Sequence, residues 1–253
     1  MRIVIKLGTS TLAHKTGRVN IRRIEKLCKV VSDLKNAGNE IIMVSSGAIG
    51  MGVGKLNLNG RPEDMPSKQA AASVGQCELM YTYDKLFSEY NHTVAQILLV
   101  GVDIQNENRR TNFQNTLYRL LELGTIPVIN ENDTVSTAEI GIGENDTLAA
   151  TVAVTINADL LIILSDIDGL YDSDPRKNKN AKLVTTVKEI TDDIIAMTGD
   201  SVSALGTGGM ITKLRAAKLT TENGTDMIIA NGKDPDILYD ILEGKAVGTR
   251  FLH

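Results

Sequence analysis

Six short apolar runs recur along the chain, and the hydrophobic period between them changes from strand-like to helical. The runs are IVIKLG (3–8), EIIMVSSG (40–47), VAQILLV (94–100), IPVIN (126–130), DLLIILSD (159–166) and DMIIA (226–230). Each is β-branched or Leu-rich and apolar nearly throughout, which suits strands covered on both faces, as in a parallel sheet. The intervening RRIEKLCKVVSDLKNAG puts Ile24, Leu27, Val30, Val31 and Leu34 on one helical face and offers Gly38 as the stop. Segments 67–90, 109–123 and 147–158 also read as helices. This alternation predicts an α/β fold: a three-layer α/β/α sandwich on a central, mostly parallel sheet, with right-handed crossovers.

No linker-like stretch divides the 253 residues. The expectation is one domain, 1–253, with an N-terminal lobe of about 1–158 and a C-terminal lobe of about 159–253. Residues 134–143 and 167–187 break the alternation and are expected as hairpins or excursions over the carboxyl edge of the sheet. The polar stretch 171–182 inside the second reads as a solvated loop.

Composition narrows the function. A net charge of −4 argues against a nucleic-acid partner, whose footprint is basic. Cys28 and Cys77 form no ligand spacing and read as reduced thiols. No run approaches the length of a signal peptide's apolar core followed by a cleavage site, or of a membrane span, so a soluble cytoplasmic protein with no membrane partner is expected.

Ligands of open α/β sheets bind beyond the carboxyl ends of the strands. Those ends read Lys6-Leu7-Gly8-Thr9-Ser10, Ser45-Ser46-Gly47-Ala48, Asn130-Glu131-Asn132-Asp133 and Ser165-Asp166. The segment GAIGMGVGKL (47–56) imitates two nucleotide motifs and completes neither. Leu56 stands where a P-loop needs Ser or Thr, and Lys55 where a dinucleotide fingerprint needs its last glycine. It reads either as a plain glycine-rich turn or as a place where Gly47 brings backbone amides to an anion. A second cluster, Thr207-Gly208-Gly209, precedes a helical run with Lys213 about one turn in. It is either an ordinary capped loop or a phosphate site at a helix N-terminus.

The tetrapeptide Glu-Asn-Asp-Thr occurs at 131–134 and again at 144–147. The first copy follows a strand, where Asn and Asp start turns; the second precedes a helix, where Asn145 or Asp146 suits a cap. With histidine only at 14, 92 and 253, a zinc site is disfavoured, and the EF-hand spacing is absent.

Taken together, VIKLGTS (4–10), VSSGAIGMG (44–52), PVINENDTV (127–135), GENDTLAA (143–150), SDIDGLYDSDPR (165–176) and GDSVSALGTGGMITKLRAA (199–217) are collinear. In this order they resemble the amino acid kinase superfamily and, within it, the branch that phosphorylates free glutamate. The resemblance implies transfer of the ATP γ-phosphoryl group to the side-chain carboxylate of L-glutamate, as the first step of proline biosynthesis. It implies Lys6, Lys213 and Asp146 as catalytic residues, with Asp146 holding the two lysines. It assigns ATP to Lys6, Gly8, Ser165, Asp166, Thr207, Gly208, Gly209, Met210, Ile211, Thr212 and Lys213, and glutamate to Ser46, Gly47, Ala48, Asn130, Asp133 and Asn145. Mg²⁺ is expected on the ATP phosphates, with no metal site of the protein's own. The resemblance further implies feedback inhibition by proline, a homodimer or homotetramer, and coupling to glutamyl phosphate reductase. Many relatives carry a further C-terminal PUA domain, whose regulation is expected to be missing from a chain that stops at His253. Sister kinases acting on aspartate, N-acetylglutamate or UMP are the nearest alternatives, and a non-catalytic amino-acid or nucleotide sensor the next. The chemistry fits the residues: a glutamate carboxylate, with a pKa of about 4.3, is already anionic at neutral pH. Such a nucleophile needs charge neutralisation and alignment rather than a general base.

Overall fold

The computed structural model describes residues 1–14, 16, 18–136, 145–175, 177–196 and 209–253. In chain order the elements are β1 (Arg2–Leu7), α1 (Thr9–Leu12), α2 (Ile21–Asn36), β2 (Glu40–Val44), α3 (Ala48–Lys55), α4 (Met65–Ser88) and β3 (Val94–Leu99). Then come α5 (Gly101–Gln105), α6 (Glu107–Glu122), β4 (Ile126–Glu131), α7 (Asn145–Thr155), β5 (Leu160–Ser165), β6 (Thr186–Val187) and α8 (Asp192–Ala196). The chain ends with α9 (Met210–Thr221), β7 (Asp226–Asn231), α10 (Ile237–Leu242) and β8 (Thr249–Phe251).

The strands form one sheet in the order β3-β4-β2-β1-β5-β7-β8-β6. All six strands foreseen from the apolar runs are present, and they pair in parallel. Two strands were not foreseen. β8 runs antiparallel to β7, and β6 pairs in parallel with β8. At two and three residues they are too short to leave a hydrophobic period, and pairing at the edge of an existing sheet holds them. Gly248, at φ 71°, makes the turn into β8; a Cβ there would lie 2.2 Å from the Ile229 carbonyl oxygen.

The side-chain period of two in the strands divides the core into two faces. Ile3, Ile5, Leu7, Ile41, Met43 and Ile162 pack with α2, α4 and α10. Val4, Ile42, Val44, Ile163 and Ile229 pack with α6, α7 and α9. This is the expected three-layer sandwich. Helix α2 shows how locally it is encoded. The Asn20 side chain accepts from Arg23 N at its start, the five foreseen apolar residues are buried, and Gly38 at φ 92° follows its end. The 167–187 excursion is a hairpin-like crossing, with Tyr171 and Leu183 bridged antiparallel. Thr249 of β8 fastens it, accepting from Leu170 N at 2.8 Å and donating to Val184 O at 2.6 Å. Residues 137–143 of the other foreseen excursion lie outside the described residues.

Glycine-rich AIGMGVGK forms helix α3, against its low intrinsic propensity. The reason is its crossing with α4. A Cβ on Gly52 would sit 1.8 Å from the Ala71 carbonyl oxygen, and one on Gly75 would sit 1.7 Å from that of Ala48. The helices therefore meet backbone to backbone, which no larger residue permits. The run of small residues in α4 buries Ala71, Ala72 and Gly75, and Ala71 and Gly75 make this crossing. Gly75→Ala should destabilise the fold by about 1–3 kcal/mol through overpacking. Gly50→Ala, whose Cβ would meet only Thr9 Cγ2 at 3.7 Å, should be neutral or stabilising by up to about 1 kcal/mol. Urea unfolding of the two variants checks the pair; equal effects would remove the crossing as the cause.

Candidate active site

The parallel strands β4, β2, β1, β5 and β7 present their carboxyl ends along one edge. Strand β1 pairs with β2 on one side and β5 on the other, so it marks the switch point of the sheet. Lys6 lies at the end of β1, in register with Val44 and Ile163. It shares the parity of Val4, so it projects to the α7 and α9 face.

On that face three charges meet. Lys6 Nζ lies 2.7 Å from Asp146 Oδ1, an ion-pair contact without the angles of a directed hydrogen bond. Lys213 Nζ donates to Asp146 Oδ2 at 3.0 Å. Thr212 Oγ1 is within reach of the same oxygen at 3.0 Å and of Gly209 O at 2.8 Å, sharing its single proton between them. Asp146 is 1% exposed, Lys213 4% and Lys6 8%. Burial alone pushes the Asp146 carboxyl up, but the two ammonium groups outweigh it and hold the pKa down at about 2. Asp146 also sits in the first turn of α7, where the helix dipole favours an anion. With both lysines charged, the triad carries one net positive charge in a buried place. Helix α9 starts beside it at Gly209 with no side-chain cap, leaving amide donors of its first turn for an anion.

The second cluster adjoins the first through Asn145, the residue before Asp146. Asn145 Nδ2 lies 2.8 Å from Ser45 O, 2.8 Å from Ser46 Oγ and 3.0 Å from Asn130 Oδ1, so two protons serve three acceptors. Gly47 follows at φ 95°, a left-handed conformation that favours glycine, and Ala48 opens α3. Asp133 lies in the turn after β4. That turn is braced by Ser136 Oγ on Glu131 Oε1 at 2.6 Å and by Gln69 Nε2 on Ser136 O at 3.3 Å. Burial is the main reason the Asp133 carboxyl is pushed up to about 6; neighbouring Glu131 adds to it, and Arg61 opposes it. A desolvated carboxylate beside a second acid favours any cation that arrives.

Of the sequence-derived site residues, the structure joins Lys6, Asp146, Thr212 and Lys213 in one cluster. It joins Ser46, Asn130 and Asn145 in a second. Ser165 is buried at the end of β5, and its hydroxyl meets exposed Asp166 at 3.2 Å. Met210 and Ile211 form the first turn of α9 with partly open side chains. The backbone at Gly8 and Gly209 is ordinary extended chain, and a Cβ on Gly8 would meet Leu164 O at an unstrained 3.5 Å. Thr207 and Gly208 lie outside the described residues. The sequence reading missed Gln76 and Tyr83 of α4, which bond Asn130 and Ser45 from behind at 2.9 and 3.0 Å. With two Gln and two Tyr in a small-residue helix, nothing in the sequence marks Gln76 and Tyr83 for that role. Among the described residues no group of three His, Cys, Asp or Glu side chains is placed to hold a metal, and no helix is long and apolar enough to cross a membrane.

Removing the central carboxylate leaves two buried ammonium groups facing each other. Asp146→Asn should cost about 3–5 kcal/mol at neutral pH. The folded pKa of about 2 lies below the unfolded value of 3.8, so the carboxylate's contribution is present above pH 3.8 and lost as pH falls toward 2. The stability gap between the two proteins should therefore shrink by about 2 kcal/mol between pH 5 and pH 2. Denaturant titrations across that range check the sign.

Comparison with known proteins places this geometry. The sequence profile of the Amino acid kinase family matches residues 1–231. A glutamate 5-kinase of Clostridium perfringens is 55% identical, the match covering 99% of this chain and 95% of the relative. Another from Clostridium acetobutylicum is 53% identical over 99% and 94%. One from Caldanaerobacter subterraneus subsp. tengcongensis is 51% identical over 100% of this chain but 68% of its own length. Among solved structures, a UMP kinase from Bacillus anthracis superposes with a TM-score of 0.67 at 18% identity, over 99% of this chain and 95% of that one. A carbamate kinase from Giardia lamblia bound to AMP-PNP superposes with a TM-score of 0.69 at 19% identity, over 99% and 98%. Those two show a shared fold; the family profile and the near-full-length relatives show more, and on them the chain belongs to the amino acid kinase family, alongside the glutamate 5-kinases of its clostridial relatives.

Proposed function

We propose that this chain transfers the γ-phosphoryl group of ATP to the side-chain carboxylate of L-glutamate, giving γ-glutamyl phosphate and ADP. The observation that carries this reading is the buried Lys6–Asp146–Lys213 triad, joined through Asn145 to the Ser46–Asn130 cluster by one helical turn. A carboxylate oxygen attacks the γ-phosphorus, and the bond to the β,γ-bridging oxygen breaks with its electron pair leaving on ADP. Both reactants are anions, so the main obstacle is their repulsion. The excess positive charge of the triad offsets it where water is excluded. Lys6 faces the transferring phosphoryl group, and Lys213 with the first turn of α9 faces the β- and γ-phosphates. Asp146, held ionised by its two lysines, fixes their heads rather than moving a proton.

ATP then occupies the C-terminal half beside Gly8, Ser165, Asp166 and residues 207–213, with glutamate over the N-terminal half. The identity of the relatives supports the acceptor. So does Asp133, whose raised pKa suits the α-ammonium that a free amino acid carries. Ser46, Gly47, Ala48, Asn130 and Asn145 line the remainder of that pocket. The described side chains make no carboxylate cage for Mg²⁺, because Asp146 is engaged by both lysines; Mg²⁺ would ride on the nucleotide phosphates and add positive charge there. Feedback by proline, self-assembly and coupling to a reductase that consumes the acyl phosphate extend the same reading.

The direct test is Mg²⁺-dependent ADP release with glutamate, aspartate, N-acetylglutamate and UMP offered separately, with and without proline. Turnover is expected with glutamate alone, and preference for another acceptor overturns the assignment. Lys6→Ala and Lys213→Ala should each lower kcat by about 10²–10³-fold, as loss of a donor to developing charge does. Asp133→Asn should raise the KM for glutamate by about 10–100-fold with ATP binding kept, the worth of a charge-assisted bond. Because protonated Asp133 cannot pair with the ammonium, KM for glutamate should climb in the wild-type protein as pH falls through about 6. That limb should be absent from Asp133→Asn; its persistence would move the titrating group elsewhere.

A further inference from the structure

Gln76 is 8% exposed and lies on α4, one residue past the glycine that brings α4 against α3. The direction of its carboxamide is fixed by a chain of bonds that starts at the backbone. Glu131 N donates to Asn130 Oδ1 at 2.9 Å, so an oxygen must stand there. Asn130 Nδ2 therefore faces α4 and donates to Gln76 Oε1 at 2.9 Å. The same Asn130 oxygen receives Asn145 Nδ2, which also meets Ser46 Oγ. Among the described residues, Gln76 Nε2 is left buried with no hydrogen-bond partner. A buried donor without an acceptor is unfavourable, and an apolar side chain of equal size would remove it only by leaving Asn130 Nδ2 unpaired instead. A packing role alone does not account for an amide at this place.

We infer that Gln76 is a positioning residue of the amino-acid pocket: it holds the Asn130 carboxamide in the one orientation that keeps Asn145 and Ser46 aligned for the acceptor substrate. The inference rests on the reading of that pocket as the glutamate site. Three features of α4 work together. Gly75 sets the approach, Gln76 orients the end of β4, and Tyr83, seven residues on, bonds Ser45 Oγ at the end of β2. The acceptor site thus has a second layer supplied by a helix whose residues need not touch the ligand. The two spare Nε2 protons belong to the residue that bonds this cluster, and a bound carboxylate oxygen or a water held by it is the class of acceptor that would complete them.

Gln76→Met keeps the length and volume and removes the acceptor for Asn130. It should raise KM for glutamate by about tenfold, the effect of leaving Asn130 unpaired, while KM for ATP stays within about twofold. The double variant Gln76→Met/Asn130→Ala should bind glutamate no more than about twofold worse than Asn130→Ala alone, because the two residues act through one bond. Additive losses, an unchanged KM for glutamate, or an equal change in KM for ATP would each overturn the inference. If Gln76→Met does not fold, Gln76→Ala supplies the same comparison. Absence of glutamate-dependent turnover in the unaltered protein would instead overturn the assigned reaction, so the two failures are distinguishable.

Discussion

Asp146 binds two ammonium groups from opposite ends of the chain, and the sheet is what makes that meeting possible. Lys6 comes from β1 and Lys213 from α9, 207 positions apart in sequence and both nearly enclosed. Burying three charges is costly unless each finds a partner. Here one carboxylate serves two cations, and the sum is left unbalanced by one positive charge. That imbalance is useful only if an anion completes it, and the first-turn amides of α9, which a helix leaves without intrahelical partners, face the same need. The triad is best understood as a site whose neutral state includes its ligand.

Asn145 and Asp146 are neighbours that look into two different clusters. A first-turn position on α7 separates their side chains by about 100°. One side chain reaches the ends of β2 and β4, and the other reaches β1 and α9. A single turn of helix thereby fixes the spacing between the two clusters, proposed above as the phosphate-facing charges and the acceptor pocket. For a reaction that depends on alignment more than on acid–base chemistry, that rigid spacing is the central contribution of the fold.

Much of this was legible in the residues, and the exceptions have physical reasons. Five- and six-residue apolar runs announce buried strands, and Asn20 with Gly38 announces the limits of α2. The Lys6 and Lys213 positions followed from strand ends and a glycine-rich helix start. β6 and β8 were invisible because edge pairing, not hydrophobic period, holds them. Helix α3 was hidden because its glycines contradict helix propensity, and only the contact with α4 explains them. The twin Glu-Asn-Asp-Thr segments admitted capping, turn and ligand readings alike. Hydrogen bonds over 99 and 100 positions, from Asn145 to Ser46 and Ser45, are information that no local window contains.

The place of β1 in the sheet has a mechanical consequence. It is the seam between the strands β2, β4 and β3 on one side and β5, β7, β8 and β6 on the other. A rotation of one half against the other displaces distant strands most and the seam least. Lys6 stands on that axis. With the two reactants placed as proposed, on either side of this seam, the ammonium between them is mounted where the lever arm is shortest.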